Sequence, residues 1–179
     1  MISISASVRR IDDYTRTDIP EPLPGQKYIS RQVNDGLTAE AKSLGATLTQ
    51  WSQDLADTTA AANRLQAFLE SQPASTWASA TLINNAGFGL NDNFADMPLD
   101  RIQAMMHLNM VSLTELCHGV LPGMRSRKQG RIMNIASVAA FQSCPRFAAY
   151  GATKSYVLSL SEAMASEEKA NGIKVIAVC

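Results

Sequence analysis

A tyrosine and a lysine one helical turn apart are the side chains of this sequence best suited to chemistry. Tyr150 and Lys154 stand at positions i and i+4 at the start of an apolar helical segment, so they project from one helix face and can share one small site. A phenol transfers protons poorly at neutral pH, but a nearby ammonium favours the phenolate. The pair therefore predicts a general acid or base, although the same spacing also occurs on ordinary solvated helix faces.

Two predicted strands end in polar residues that could complete such a site. Ser137 follows the apolar run 131–136, and Asn84-Asn85-Ala86-Gly87 follows the apolar run 80–83. Apolar runs of this length are typical of buried parallel strands. In open α/β sheets, ligand sites form at the carboxyl ends of such strands, and a glycine there lets the backbone approach a ligand closely. These strand ends favour a shared site over a solvated face.

In this order and spacing, Asn84-Asn85-Ala86-Gly87, Asn109, Ser137, Tyr150 and Lys154 resemble the short-chain dehydrogenase/reductase family. The resemblance extends over residues 41–179, and the Asn-Asn-Ala-Gly form points to the single-domain reductases. It implies a Rossmann-like, doubly wound parallel α/β sheet in one domain, residues 1–179. It also implies an NAD(P)(H)-dependent oxidoreductase that transfers hydride between nicotinamide and a carbonyl or secondary alcohol, with NADP as the expected cofactor and NAD as the alternative.

The resemblance implies a role for each site residue. Tyr150 is expected to be the acid/base, Ser137 to orient the carbonyl oxygen, and Lys154 to hold the ribose hydroxyls. Asn109 is expected to mark a helix irregularity that holds a water in the proton relay, although a helical asparagine can also cap a kink or face solvent. The expected cofactor-binding residues, besides Tyr150 and Lys154, are Arg9, Arg10, Asp54, Leu55, Asn84, Ala86 and Gly87.

The sequence departs from the family pattern towards both ends. The family opens with a strand and a Thr-Gly-x-x-x-Gly-x-Gly turn whose amides receive the pyrophosphate, whereas no glycine precedes Gly25 here. We align residues 1–7 with the family's second strand, and Arg9 and Arg10 with a basic pair that selects the 2′-phosphate of NADP; arginines after a strand are also common as surface charge. Without the central first strand, the sheet has a gap or its neighbours pair directly. The family's substrate-covering segment, expected after the strand 173–178, is not in this sequence either.

The other elements follow ordinary local patterns. Residues 12–33 combine prolines, mixed charges and no sustained period, which predicts an exposed loop or a disordered insertion. The methionine-rich face of the helix 98–125 is more typical of core or subunit interface than of a cofactor site. Helices are predicted at 35–44, 57–69, 98–125 and 150–171, and a further strand at 46–51. Phe88, Phe94, Phe141 and Phe147 form either an apolar pocket wall or ordinary loop packing.

Composition narrows the class of partner. Sixteen basic and sixteen acidic residues cancel, so no net field gathers nucleic acid or anionic membrane, and the expected partners are a small carbonyl or alcohol substrate and further copies of the chain. Three widely spaced cysteines fit reduced thiols in the cytoplasm, and no metal site is predicted at His107 or His118. A homo-oligomer through the helices 98–125 and 150–171 is expected. The alternatives are a catalytically silent binding or oligomerisation module and a truncated piece of an active reductase.

Overall fold

The computed structural model describes residues Ser3–Ala6, 43, 63, 67–68, 70–71 and 81–179. Its regular elements belong to one compact unit composed of Met1–Arg9 and Asp54–Cys179, and Arg10–Gln53 make up a second unit. The predictions for the segments 12–33, 35–44 and 46–51 fall outside the described residues, as do most of the helix 57–69 and the candidate site residues Arg9, Arg10, Asp54 and Leu55.

Four parallel strands form the described sheet: β1, Ser3–Ala6; β2, Thr81–Asn84; β3, Gly130–Ile135; and β4, Ile173–Val178. Their spatial order is β1-β2-β3-β4, and all neighbouring pairs are parallel. Residues 1–7 therefore contain the predicted strand, and this strand pairs directly with β2. The predicted runs 80–83 and 131–136 are each displaced by one residue, because strand ends depend on hydrogen bonds to neighbouring strands and not on apolarity alone.

Within residues 81–179, three α-helices and one π-helical segment connect these strands: α1, Leu99–Met106; the π segment, His107–Ser112; α2, Leu113–Arg127; and α3, Ala148–Glu168. The single helix predicted over 98–125 is thus interrupted by the π segment. Helix α3 begins at Ala148 and not at Tyr150, and a 3₁₀ turn, Lys169–Asn171, occupies the end of the predicted helix 150–171.

The core lies between the sheet and helices α2 and α3. Leu82, Ile132 and Val157 are fully buried, and they belong to an apolar cluster that also contains Leu113, Leu116, Cys117, Val120, Met124, Ala136, Met164, Ile173 and Val175. A second cluster combines Met97, Ile102, Met105 and Ala149, with Phe88, Leu90 and Tyr150 packed against it. The methionine-rich face is therefore core at Met105, whereas Met106 remains 41% exposed.

A buried polar network joins the strands to the two long helices. Asn84 at the end of β2 donates from Nδ2 to Asn134 Oδ1 (2.9 Å) and Cys117 Sγ (3.2 Å). Asn134 in β3 donates to Ser161 Oγ at 2.9 Å. These side chains are all at most 3% exposed. Because a buried polar group without a partner is destabilising, the network fixes how β2, β3, α2 and α3 meet.

Alkaline pH should destabilise the fold through Cys117. Burial raises the pKa of this thiol from 9.0 to about 11, so the folded state keeps a proton that the unfolded state loses above about pH 9. The free energy of unfolding should fall over this interval by up to about 3 kcal/mol from this group. Urea unfolding of the native chain and of Cys117→Ala across this pH range measures the effect. The free energy of unfolding should fall less steeply with pH in the variant.

The half-buried Cys144 provides the matched control, since removing its thiol takes nothing out of the core. Cys144→Ala should follow the native pH dependence. Equal slopes for the native chain and Cys117→Ala would contradict the assignment.

An ion pair holds the carboxyl ends of α2 and α3 together. Arg125 Nε donates to both carboxylate oxygens of Glu168, at 3.1 and 2.9 Å, and its terminal nitrogen also donates to Oε1. Asn171 Nδ2 adds a bond of 2.9 Å to Oε2. The Glu168 side chain is 1% exposed, and the hydrogen bond from Arg125 holds the pKa of this carboxyl below its ordinary value.

The described residues contain no helix of the length and apolarity that a membrane span requires. In the same part of the chain, no three His, Cys, Asp or Glu side chains come together as a set of metal ligands.

Candidate functional site

The candidate site lies at the carboxyl edge of the sheet, where the ends of β2 and β3 face the start of α3. Asn84 and Asn134 are in register across β2 and β3, so the segments that follow the two strands leave the sheet side by side. This is the edge at which parallel α/β sheets bind ligands.

Lys154 on α3 is held against the end of β3. Its Nζ donates a 2.7 Å hydrogen bond to the Ile135 carbonyl oxygen, and the residue is 7% exposed. Burial lowers the pKa of Lys154 below its ordinary value, and a charge at Cys179 acts in the opposite direction. The ammonium lies 5.8 Å from the centre of the Tyr150 ring, so the predicted pairing of these two side chains is present.

The half-buried Tyr150 ring packs between two loop segments. A Cβ atom added at Gly89 would lie only 3.0 Å from the ring's Cδ2 atom, so the backbone after β2 approaches the ring closely, and a larger residue there would press on it. Phe147 flanks the ring with a centroid distance of 5.9 Å and a tilt of 59°. Gly89 and Phe147 therefore restrict where the phenol can lie.

Asn109 lies in the π segment, so the expected irregularity of this helix is present. Its side chain is 1% exposed. Asn109 Oδ1 accepts from the Phe88 amide at 3.1 Å, and Nδ2 donates to the Phe88 carbonyl at 2.9 Å and to Thr153 Oγ1 at 3.0 Å. Insertions of a π turn are frequent at functional sites, and here the turn brings an asparagine against the segment that follows β2.

Gly87 lies where Asn109 and Lys154 meet. A Cβ atom at this position would be 2.9 Å from Asn109 Oδ1 and 3.7 Å from Lys154 Nζ. The exposed backbone at this point can therefore approach a ligand while it contacts both side chains.

Ser137 follows β3 in extended conformation and caps a short 3₁₀ turn, Val138–Ala140. Its Oγ accepts from the Ala139 amide at 3.2 Å. Ser155 on α3 donates to the Ala140 carbonyl at 2.8 Å, which fixes this turn against the helix that carries Tyr150. The structure thus places Ser137 on the same edge of the sheet as Asn109, Tyr150 and Lys154.

Two residues predicted to bind the cofactor, Asn84 and Ala86, are at least partly buried in the fold. The Asn84 side chain points into the core and bonds Asn134 and Cys117, while Ala86 is half-buried beside the exposed Asn85 and Gly87. Sequence reasoning did not single out Thr153, a 1% exposed residue between Tyr150 and Lys154. A threonine inside a helix commonly bonds its own backbone, so the sequence carried no distinct signal for it.

The four phenylalanines do not share one environment. Phe147 is half-buried and flanks the Tyr150 ring, and the half-buried Phe88 packs against the second core cluster, whereas Phe94 and Phe141 are 60% and 66% exposed. The first two therefore lie in packed surroundings, and the other two do not.

The described residues fit the nicotinamide ribose half of a dinucleotide. An ammonium has three hydrogen-bond donors, and Ile135 accepts one of those of Lys154. The exposed Gly87 carries no side chain beside that ammonium, so a ligand can approach the backbone there. The residues expected at the adenine and 2′-phosphate end lie outside the described part of the chain.

The sequence matches the family described as short chain dehydrogenase over residues 27–179. This range includes all predicted site residues except Arg9 and Arg10. Over 98 residues the chain is 37% identical to the ketoacyl reductase HetN of Nostoc sp., with 55% of this chain and 34% of that protein covered. Over 98 residues it is also 38% identical to an acetoacetyl-CoA reductase of Shinella zoogloeoides, with 55% and 41% covered. The matches therefore span about a third to two-fifths of these two relatives.

Solved structures share the fold. A putative NAD(P)-dependent gluconate 5-dehydrogenase from Beutenbergia cavernae with bound NADP superimposes with a TM-score of 0.68 and 30% identity, covering 87% of this chain and 57% of that one. A metagenomic short-chain oxidoreductase in complex with NADP superimposes with a TM-score of 0.72 over 82% of this chain and 65% of that one. At 24% identity, the second comparison supports the Rossmann-like fold alone.

Proposed function

Because the chain belongs to the short-chain dehydrogenase family, we propose that it is an NADP(H)-dependent oxidoreductase that interconverts a carbonyl and a secondary alcohol. The observation that carries the proposal is the placement of Lys154 and Tyr150 beside Gly87 and Gly89 at the carboxyl edge of the sheet. That arrangement combines an acid/base, a fixed positive charge and exposed backbone in one site.

Each residue has a distinct task in the proposed reaction. Tyr150 gives a proton to the carbonyl oxygen during reduction and takes it back during oxidation. The Ser137 hydroxyl donates a hydrogen bond to the same oxygen and orients it. Lys154, 5.8 Å from the Tyr150 ring centre, stabilises negative charge that develops on the phenol oxygen and binds ribose hydroxyls with its remaining donors. The bound nicotinamide supplies or accepts the hydride.

NADP is the proposed cofactor, with NAD as the alternative. The similar structure from Beutenbergia cavernae holds NADP. The residues proposed for the adenine end are Asp54 and Leu55, and Arg9 and Arg10 would read the 2′-phosphate. Asn84 supports this site through the core network, with Ala86 and Gly87 closer to the nucleotide.

The first candidate substrates are molecules whose ketone group belongs to an acyl chain or a sugar acid. The relatives include a ketoacyl reductase and an acetoacetyl-CoA reductase, and a similar structure is named as a gluconate 5-dehydrogenase. The chain's neutral net charge and cysteine usage suit a small-molecule enzyme of the cytoplasm.

A homo-oligomer is the proposed assembly, and a silent oligomerisation module is the second candidate function. Exposed apolar side chains occur along the relevant helices: Met106 on α1, Val111 in the π segment and Tyr156 on α3 are 39–41% exposed. Burial of these residues in a dimer would remove apolar surface from water. The second candidate predicts a dimer that does not bind a dinucleotide.

The decisive experiment is a fluorescence titration of the purified chain with NADPH and NADH. Saturable binding of NADPH is expected, and Lys154→Ala should weaken it roughly tenfold or more, since it removes a charged donor. Lys174→Ala is the matched control, because it removes an exposed lysine from β4. A folded chain that binds neither nucleotide would overturn cofactor binding by this chain and leave the silent module or an incomplete piece of a reductase.

A further inference from the structure

The Thr153 hydroxyl is used in two directions. Its Oγ1 donates to the Tyr150 carbonyl at 2.8 Å and accepts from Asn109 Nδ2 at 3.0 Å. A hydroxyl has one hydrogen, so the bond to Tyr150 leaves oxygen lone pairs for Asn109. The side chain is 1% exposed, and water cannot readily replace either partner.

Thr153 completes the hydrogen bonding of the Asn109 amide. The Phe88 carbonyl oxygen accepts one Nδ2 hydrogen, and the Phe88 amide donates its hydrogen to Oδ1. The second Nδ2 hydrogen points to Thr153 Oγ1. Without that oxygen, a buried donor of Asn109 has no acceptor in the described surroundings, and a side chain in this position turns or shifts to find one.

The orientation of Asn109 matters because Asn109 holds the segment after β2, and this segment lies beside both Lys154 and Tyr150. Phe88, which Asn109 holds at both polar backbone atoms, lies between Gly87 and Gly89. Gly87 adjoins Lys154 Nζ, and Gly89 adjoins the Tyr150 ring. A shift of Phe88 therefore moves backbone against both side chains.

We propose that Thr153 is a positioning residue, which orients Asn109 and thereby holds the segment 87–89 against Tyr150 and Lys154. For its effect on cofactor binding the inference rests on the proposed function. The bridge itself is a property of the free chain, and it spans three separate pieces of structure: the segment after β2, the π segment and α3.

Thr153→Val and Thr153→Ser test the inference. Valine keeps the shape and removes the hydroxyl, whereas serine keeps the hydroxyl. In the ¹⁵N-labelled chain without cofactor, the Asn109 side-chain amide hydrogens, assigned by their loss in Asn109→Asp, should exchange with solvent roughly tenfold faster in Thr153→Val. Thr153→Ser should exchange at close to the native rate.

The same variants are titrated with NADPH. Thr153→Val should weaken binding roughly tenfold, and Thr153→Ser should restore it. Ser159→Ala, which removes an exposed hydroxyl of α3, should change neither readout. Thr153→Ala replaces the valine variant if circular dichroism shows that the latter does not fold.

Equal exchange rates in the native, Val and Ser chains would overturn the inference. Faster exchange with unchanged NADPH affinity would also overturn it, because the bridge would then position nothing that the cofactor requires. Failure of the native chain to bind NADPH would contradict the proposed function instead. The exchange rates would still decide whether Thr153 orients Asn109.

Discussion

Tyr150→Phe should lower the rate of NADPH-dependent carbonyl reduction by about 10²- to 10⁴-fold, the usual range for loss of a general acid. The phenyl ring retains its packing against Gly89 and Phe147, so the variant should fold and keep most of its affinity for NADPH. Only the proton donor is removed. The expected loss is therefore in kcat and not in cofactor binding.

The measurement is NADPH oxidation with a panel of ketones that includes acetoacetyl-CoA and a keto sugar acid. Tyr156→Phe is the matched control, because Tyr156 lies on the same helix and its hydroxyl bonds Thr114 Oγ1 at 2.8 Å, with 39% of the residue exposed. That variant should reduce the same ketones at the native rate. Equal loss in both variants, or none in Tyr150→Phe, would show that Tyr150 is not the acid.

Gly172→Ala should destabilise the fold by about 3 kcal/mol, the largest expected effect among substitutions outside the site. Gly172 ends the 3₁₀ turn before β4 with φ at 72°, a left-handed conformation that disfavours side chains by about 1–2 kcal/mol. The added Cβ would also overlap the Lys128 carbonyl oxygen and lie 3.0 Å from its carbonyl carbon. This overlap cannot be relieved by turning a side chain, so backbone must move.

Thermal unfolding measures the effect, and a decrease in Tm on the order of 10 °C is expected for a chain of this size. Gly119→Ala provides the control. Gly119 lies inside α2, and a Cβ there would meet nothing within 4 Å. Alanine should therefore stabilise the helix by roughly 0.5–1 kcal/mol. An unchanged Tm in Gly172→Ala would contradict the close approach of Gly172 to the Lys128 carbonyl.

The sequence was informative wherever a structural feature depends on neighbouring residues. The i, i+4 spacing placed Tyr150 and Lys154 on one face of α3, and the apolar runs located β2, β3 and β4 to within one residue. The family motif then identified Ser137 and Asn109. Element ends were less accurate, since α3 starts at Ala148 and the helix 98–125 contains a π segment.

The motif also left the direction of side chains undecided. Asn84 belongs to a segment expected beside the nucleotide, yet its amide bonds Asn134 in β3, fifty positions along the chain. Periodicity cannot distinguish these outcomes, because β2 is short and an asparagine at its end can face the core or the ligand. Only the neighbouring strand and α2 supply the partners that draw it inwards.

Residue types and local spacing by themselves indicated the buried strands, the helices and a tyrosine–lysine pair suited to acid/base chemistry, and the resemblance of the motif residues to a known family indicated the rest of the site. The tertiary structure alone decided how Asn109 is held, since its partner Thr153 is 44 positions away, and that β1 pairs directly with β2. The physical reason is that helix faces and strand runs follow from local geometry. Hydrogen bonds between distant segments exist only when packing of the core brings their donors and acceptors within about 3 Å of each other.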